Sequence, residues 1–490
     1  METRSLPVRL LVCLICLWAV ALSAGTQPNI IIVLADDMGY GDLASYGSPN
    51  IRTPEIDQMA AEGVRFTDFY AAPVCAPSRV QIMTGCYHAR TGLSFNPFPH
   101  SKRGLNKEEH TIAEYLKKAG YITKIVGKWH LGDAPDMLPH HHGFDEFFGY
   151  PYSNDMWPNN PRSRPSPHAD TELLEQITQR ERYTGYHSVH YKDDPEAKRS
   201  MFPPLPLFLN KQVIEKDPDQ STMTRRFTES AVEFIHRNKD RPFFLYLAHP
   251  MPHVPLFAGK DFKGKSLRGL YGDTIEEIDW SVGQLRKALE AEGIASQTML
   301  VFTSDNGPWL QYGIDGGSAG RLRDGKGTTY EGGVRVPAVF WMPGTFKDGL
   351  TTSALSGNFD LLATVAGMVG FDLDPERIID SRSLLPILSG ESDEPPRRYF
   401  HYFASGRRSG YPNYCGIRDE KWKLRIETQQ DGSLVPLELF DLAEDPSERF
   451  DRATNHPDKV ERLLRIARAY NREFRKQLRP VGVTEHQWED

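Results

Sequence analysis

Four short apolar runs lie far apart along the chain, and each ends in polar groups. NIIIVLADD runs into Asp36 and Asp37, and YITKIVGKWH runs into Lys128 and His130. PFFLYLAHPMPH closes on His249 and His253, and TMLVFTSDNG closes on Asp305 and Asn306. Continuous apolar runs of this length, rich in β-branched and aromatic residues, predict strands buried on both faces, as in parallel sheets. Helical periodicity fills the intervals. TPEIDQMAAEG has Thr53 as N-cap, Pro54 in the first turn and Gly63 as its stop; EEHTIAEYLKKAG stops at Gly120. Longer helical patterns run through STMTRRFTESAVEFIHRN and DTIEEIDWSVGQLRKALEAEG. Strands alternating with helices predict an α/β domain with a mostly parallel sheet flanked by helices. Open sheets of this kind bind ligands beyond the carboxyl ends of their strands, so the polar tips are expected to gather in one place.

Two stretches break the alternation. Residues 150–219 are rich in Pro, Asn, Arg and Tyr with weak periodicity, which predicts a loop-rich insertion walling the pocket. After SGESDEPPRR come short alternating strands, in RRYFHYF, YCGIRDEKWKLRI and LELFDL, and then a helix from about Pro457 to Gln477. This predicts an α/β domain over 26–393 and a smaller α+β subdomain with an antiparallel sheet over 394–490.

Composition narrows the function classes. The 490 residues are 39% hydrophobic and 25% charged, with a net charge of -7 and both signs interspersed. No basic stripe favours nucleic acid as a partner. The opening segment carries Arg4 and Arg9, an apolar run from Leu10 to Leu22 and small residues around Ala21 to Gly25. It reads as a signal peptide over residues 1–25, for export to a periplasm, the exterior or a lysosome. The run falls short of the about 20 apolar residues that a spanning helix needs, and no later segment is apolar for long enough. Cleavage removes Cys13 and Cys16 and leaves Cys75, Cys86 and Cys415. Three cysteines make no disulfide framework, although Cys86 and Cys415 are available to pair.

Asp36, Asp37, Asp305 and Asn306 are all oxygen donors, a set suited to a hard cation, Ca²⁺ before Mg²⁺, rather than zinc. Arg79, Lys128 and Lys326, converging with His130 and His253, would make the same pocket attract an anion. Cys75, in VCAPSRVQIMTG, falls at the first turn of a helix ending near Gly85, where free backbone N–H groups and the positive end of the dipole favour negative charge. A thiolate nucleophile fits that position, yet soft sulfur is a poor ligand for a hard cation. The run His140 to His142 reads as a solvated loop in preference to a zinc site.

CAPSR with TG downstream resembles the type I sulfatase motif, in which the cysteine is oxidised to Cα-formylglycine. LADDMGYGDL, GKWHLG, SDNGP and GKGTTYEGGVRVP are similar to the other landmarks of that family, in the same order. YCGIRDEKWKLRI and LELFDLAEDPSE resemble its C-terminal subdomain, and the likeness points to the arylsulfatase A and N-acetylgalactosamine-6-sulfatase branch. The resemblance implies an alkaline-phosphatase-like fold and a maturation enzyme that generates formylglycine at Cys75. It implies that Asp36, Asp37, Asp305, Asn306 and the modified Cys75 hold the cation, usually Ca²⁺, and that Arg79 positions the nucleophile. Lys128, Lys326, His253 and Ser153 would bind sulfate; Asp305 would accept the nucleophile's proton; His253 or Lys326 would protonate the leaving alcohol; His130 would be the base for the elimination step. Position 86, commonly Arg or another large residue in the family, is Cys here. The substrate implied is a sulfated carbohydrate or an aryl sulfate. Two rivals remain at this stage: a formylglycine-dependent phosphonate or phosphate ester hydrolase, and a sulfated-glycan-binding protein with Cys75 unmodified.

Overall fold

A computed structural model describes residues 27–160, 167–183, 202–408 and 411–487. The expected signal segment lies outside them, and no helix among the described residues is long and apolar enough to cross a membrane. The central sheet is built from strands β1 (Asn29–Ala35), β2 (Val64–Tyr70), β3 (Ile122–Lys128), β4 (Glu146–Tyr150), β5 (Pro206–Leu209), β6 (Gln212–Lys216), β7 (Phe243–Ala248), β8 (Thr298–Ser304), β9 (Arg335–Trp341) and β10 (Leu350–Thr352). Their order across the sheet is β10-β2-β9-β8-β1-β7-β3-β4-β5-β6. The four apolar runs become β1, β3, β7 and β8, which lie together and pair in parallel. Every residue of β1, β7 and β8 is buried, as their unbroken apolar pattern requires. β9 enters antiparallel between β2 and β8, so the sheet is mixed but mostly parallel.

The helices of seven residues or more are α1 (Pro54–Ala61), α2 (Cys75–Thr84), α3 (Ile112–Lys118), α4 (Thr171–Tyr183), α5 (Met223–Asn238), α6 (Gly269–Ala291), α7 (Asp360–Val369) and α8 (Pro457–Arg475). They cover both faces of the sheet. One core joins Ile31, Val33 and Leu245 to Phe227 and Ile278 of α5 and α6. The other joins Ile30, Ile32 and Phe244 to Val80 and Ile82 of α2. Beyond Phe400, β11 (Phe400–Arg408), β12 (Tyr411–Arg418), β13 (Trp422–Thr428) and β14 (Leu434–Asp441) form a separate antiparallel sheet against which α8 packs.

Several expectations need correction. The Thr53 side chain does not cap α1; its hydroxyl accepts from Ala44 N and donates to Asp57, tying the helix start to the preceding turn. α3 instead carries a full capping box between Thr111 and Glu114. The stretch 150–219 is more than loop: where described, it contributes α4 and the β5–β6 hairpin, which extends the central sheet past β4. Short strands at a sheet edge need little apolar patterning, since one face of them is exposed. Cys86 and Cys415 are free thiols; Cys86 lies against the carbonyls of Thr84 and Ile378. The run His140 to His142 is not uniformly solvated, because His142 is buried against Trp129.

Candidate active site

Parallel register brings the polar tips together. Ala35 pairs with Ser304, so Asp36 and Asp305 leave the sheet side by side, and Asp305 N–H donates to Ala35 O at 3.1 Å. Ala248 pairs with both Leu34 and Gly127, which sets Lys128 and His249 at the same level. Gly127 has φ 99°, and a Cβ there would sit 2.0 Å from Ala248 O. Only glycine lets β3 approach β7 this closely, and that approach delivers Lys128 to the strand ends. Asp37 and His130 hold φ of 65° and 59°. Left-handed backbone at non-glycine residues costs on the order of 1 kcal/mol and concentrates at functional sites.

Cys75 opens α2 beneath these tips. Its Sγ lies 3.3 Å from Asp36 Oδ1 and 3.9 Å from Asp37 Oδ1. One turn further on, Arg79 is wholly buried and donates to Asp305 Oδ2 through Nε at 3.1 Å and Nη2 at 2.9 Å, while Nη1 donates to Lys128 O at 2.6 Å. Lys128 Nζ contacts Asp36 and donates to Ser153 Oγ at 3.0 Å. Lys326 Nζ donates to Asp37 at 2.7 Å, and Asn306 Nδ2 donates to Asp37 Oδ1 at 2.7 Å. His253 Nδ1 lies 2.6 Å from Val254 O and its Nε2 3.6 Å from Asp37. Both ring nitrogens of buried His130 lack a hydrogen-bond partner. His249 bonds Ser281 on α6 at 3.0 Å, a structural contact behind the strand ends.

The charges are strongly interdependent. Burial alone would raise Asp36, yet Lys128, His253, Arg79 and Lys326 hold it well below the usual carboxylate range. Burial and the neighbouring Asp36 charge push Asp305 up to about 7 against the pull of Arg79. Burial, then Asp36, lifts the Cys75 thiol well above its ordinary value, so the unmodified thiol is a poor nucleophile in this pocket. Burial and Lys128 press His130 down, and burial and Lys326 do the same to His253, leaving both imidazoles neutral near pH 7. Lys326 rises despite burial because Asp37 faces it.

The donor set fits a hard cation. Donor atoms of Asp36, Asp37, Cys75 and His253 all lie within 4.8 Å of one another. Asn306 Oδ1 is buried with no hydrogen-bond partner, an acceptor that a cation would satisfy. His253 is the one nitrogen donor beside an otherwise oxygen-rich set. Asp36, Asp37, Cys75, Arg79, Lys128, His130, Ser153, His253, Asp305, Asn306 and Lys326 are therefore in or against a single cluster, whereas Cys86, Cys415, His249 and the run His140 to His142 lie outside it. Sequence reasoning missed Trp309, whose ring lies 4.3 Å below Lys326 Nζ and packs edge-on against His253 at 5.4 Å. The only signal was an aromatic residue just after SDNGP.

Comparisons with known proteins bear on this cluster. A family model described as Sulfatase matches residues 28–371, and one described as N-sulphoglucosamine sulphohydrolase, C-terminal, matches residues 324–467. Arylsulfatase A of Bos taurus is 37% identical over 88% of this chain and 85% of its own. N-acetylgalactosamine-6-sulfatase of Mus musculus is 34% identical over 96% and 91%. Among solved structures, the PsFucS1 sulfatase from Pseudoalteromonas sp. superposes with a TM-score of 0.77 at 25% identity, covering 98% of this chain and 97% of that one. With a match across most of the sequence and relatives this similar over nearly its whole length, the chain belongs to the sulfatase family, the hydrolases of sulfuric esters.

Proposed function

We propose that the protein is an exported, Ca²⁺-dependent sulfatase that removes sulfate from a sugar or an aryl alcohol through formylglycine at position 75. The observation that carries this reading is the convergence of Asp36, Asp37, Asp305 and Asn306 on Cys75 at the start of α2, with Arg79, Lys128 and Lys326 around them. Oxidised by a maturation enzyme and hydrated, residue 75 would supply a geminal diol: one hydroxyl attacks sulfur, and deprotonation of the other expels sulfate by C–O cleavage. Ca²⁺ held by Asp36, Asp37, Asp305, Asn306 and residue 75 would supply charge stabilisation for the attacking oxygen.

The chain's own groups have distinct tasks. Asp305 accepts the attacking hydroxyl's proton, and Arg79 fixes the Asp305 carboxylate through its paired N–H donors. Lys128, Ser153 and Lys326 bind sulfate oxygens, and His253 joins them only when its Nε2 is protonated; the Lys128–Ser153 contact already aligns two of these donors. Neutral His253 directs its Nδ1 proton to Val254 O, so Lys326 is the better placed donor to the leaving alcohol. Neutral His130, with both ring nitrogens unengaged, is the base for the elimination. The same reading puts the catalytic domain at 26–393 and the C-terminal subdomain at 394–490, supported by the separate four-stranded sheet, with Gly482–Val483 pairing back onto Arg103–Gly104.

Two measurements test it. Mass analysis of the peptide containing residue 75 should show the aldehyde in place of the thiol; an intact Cys75 in active protein would overturn the mechanism. Parallel assays with sulfate and phosphate esters should show higher kcat/KM for the sulfate. A preference for the phosphate ester would favour the phosphohydrolase alternative.

A further inference from the structure

The three cations of the strand-end cluster are held by different means. Arg79 is fixed by Asp305 and by Lys128 O, and Lys128 by Asp36 and Ser153. Among the described residues, Asp37 is the one hydrogen-bond partner of Lys326 Nζ, at 2.7 Å. Asp37 is also read as a cation ligand, so in the filled site its charge is shared with the metal and no longer serves Lys326 alone. The other group against this ammonium is the indole of Trp309, whose centroid lies 4.3 Å from Nζ.

Backbone geometry sets that contact. Trp309 lies three residues past Asn306, on the same chain tip that carries two of the cation ligands. Lys326 N–H donates to Pro308 O at 2.9 Å, which ties the lysine's loop to the residue before the indole. Gly325 allows the approach, since a Cβ there would lie 2.3 Å from Pro308 O and 3.0 Å from Leu310 Cγ. The indole is braced in turn. Buried Tyr312 packs against it at 4.9 Å with the ring planes at 74°, and His253 does so at 5.4 Å and 68°. Its Nε1 donates to Gln311 Oε1 at 3.3 Å. Trp309 itself is only partly buried, at the margin of the core that α5 and α6 form with the sheet. Any apolar side chain could fill that margin; an aromatic face against a buried ammonium is the feature that filling does not explain.

An indole and a carboxylate would hold a lysine with opposite consequences for an anion. The aromatic face attracts the ammonium through its quadrupole and adds no formal negative charge. A carboxylate in the same place would cancel the positive field that draws sulfate in. A lysine with neither would lose rotamer freedom each time it engaged an anion. We propose that Trp309 is a positioning residue for the reaction: its indole holds Lys326 Nζ where sulfate binds without neutralising it. The ammonium keeps N–H donors for sulfate oxygens, and the ring orders the lysine before the substrate arrives. The inference rests on the reading of Lys326 as a sulfate-binding group and is independent of the chemistry at position 75.

The test is equilibrium binding of radiolabelled inorganic sulfate to the full chain with Ca²⁺ present, in a Cys75→Ala background so that neither turnover nor a covalent adduct enters the measurement. Trp309→Leu removes the aromatic face and keeps an apolar side chain; Trp309→Phe returns a smaller face at a volume close to that of leucine. The leucine variant should bind sulfate about threefold to tenfold more weakly than the background protein, and the phenylalanine variant should recover most of that loss. Trp309→Met, also apolar and without a ring, replaces the leucine variant should that one fold poorly. An indole that only fills space predicts equal losses for Leu and Phe, so equal affinities in those two variants overturn the proposal. It is also overturned if the leucine variant binds sulfate like the background protein, or if the background protein binds none. Turnover of an aryl sulfate by the chain with Cys75 intact is scored separately. No turnover alongside a Leu–Phe difference would sink the proposed catalysis and leave this inference standing; turnover alongside equal Leu and Phe affinities would do the reverse.

Discussion

The molecule contains two buried charge clusters of matching composition and opposite character. At the strand ends, Asp36, Asp37 and Asp305 face Arg79, Lys128 and Lys326. At the junction between the two sheets, Asp68, Glu331 and Glu448 face Arg335, Arg418 and Lys423. The junction is closed on itself except at Glu448 Oε1, which has no hydrogen-bond partner but lies 2.8 Å from Lys423 Nζ. Lys423 contacts Glu331, Glu448 and Thr329 O at 2.8–2.9 Å, Tyr402 donates to Glu331, and Glu448 accepts from the Glu331 backbone N–H at 2.6 Å. The strand-end cluster is open: Asn306 Oδ1 and both nitrogens of His130 have no partner, and two of its residues hold strained backbone, against Glu448 alone at the junction. Equal numbers of buried charges therefore serve different ends. Satisfied polar groups fix a structure, and unsatisfied ones mark where a ligand is to complete the set.

Loss of chemistry without loss of fold is the sharpest way to test that contrast. Cys75→Ala should abolish turnover, by a factor of about 10⁴ or more, because the nucleophile is removed outright. Its thermal midpoint should fall by no more than the few degrees that loss of one cation ligand explains. A large fall in the midpoint would show that the strand-end cluster is structural after all.

Lys423→Met tests the other side. It strips the junction of the cation that bridges two buried carboxylates and should cost about 3–5 kcal/mol in chemical denaturation, the usual penalty for leaving buried charge unpaired. The part of the protein that remains folded should keep a functioning nucleophile. A loss below about 1 kcal/mol would mean that water already reaches the junction and that its closure is illusory.

Chelation should act on the open cluster alone. Removing divalent cations should suppress sulfatase activity and lower the thermal midpoint by a few degrees, both restored by Ca²⁺ more fully than by Mg²⁺, as binding to the native state alone requires. Full activity in excess chelator would remove the cation from the reading. His130→Ala should slow turnover less than Cys75→Ala, by about 10²- to 10⁴-fold for a lost general base, with sulfate retained on the residue-75 peptide by mass analysis. Absence of retained sulfate would argue against His130 as the elimination base.

The two clusters also differ in how far the sequence betrayed them. Asp36, Lys128, His253 and Asp305 were visible because each ends or follows an apolar run, and the strand-end rule for parallel sheets converts that pattern into proximity. Glu331 opens a four-residue helix and Lys423 lies in β13, far apart in the chain, and no local pattern relates them; only the packing of the two sheets does. β9 was missed for a similar reason, since its antiparallel entry follows a glycine-rich loop and lacks a preceding helix of ordinary length.

The smallest effect distinguishes the clusters by pH. Burial alone would raise Glu331, but Lys423, Arg418 and Arg335 hold it well below the ordinary carboxylate value. A group depressed in the folded state contributes stability above its unfolded pKa of about 4.3, and that contribution is lost as pH falls toward the folded value. Glu448 runs the other way: burial raises it despite Lys423, so its protonation favours the fold and offsets part of the loss. That offset acts above about pH 4, between the unfolded value and the raised folded one, so at lower pH the slope from Glu331 should approach about 1.4 kcal/mol per pH unit, that of one full proton. Glu331→Gln should flatten the acid limb of the stability curve, measured by urea denaturation between about pH 3 and 6, while lowering stability at pH 7. An unchanged acid limb in that variant would mean that Glu331 is not held ionised by its three cations, and the junction would then resemble the open cluster more than its geometry indicates.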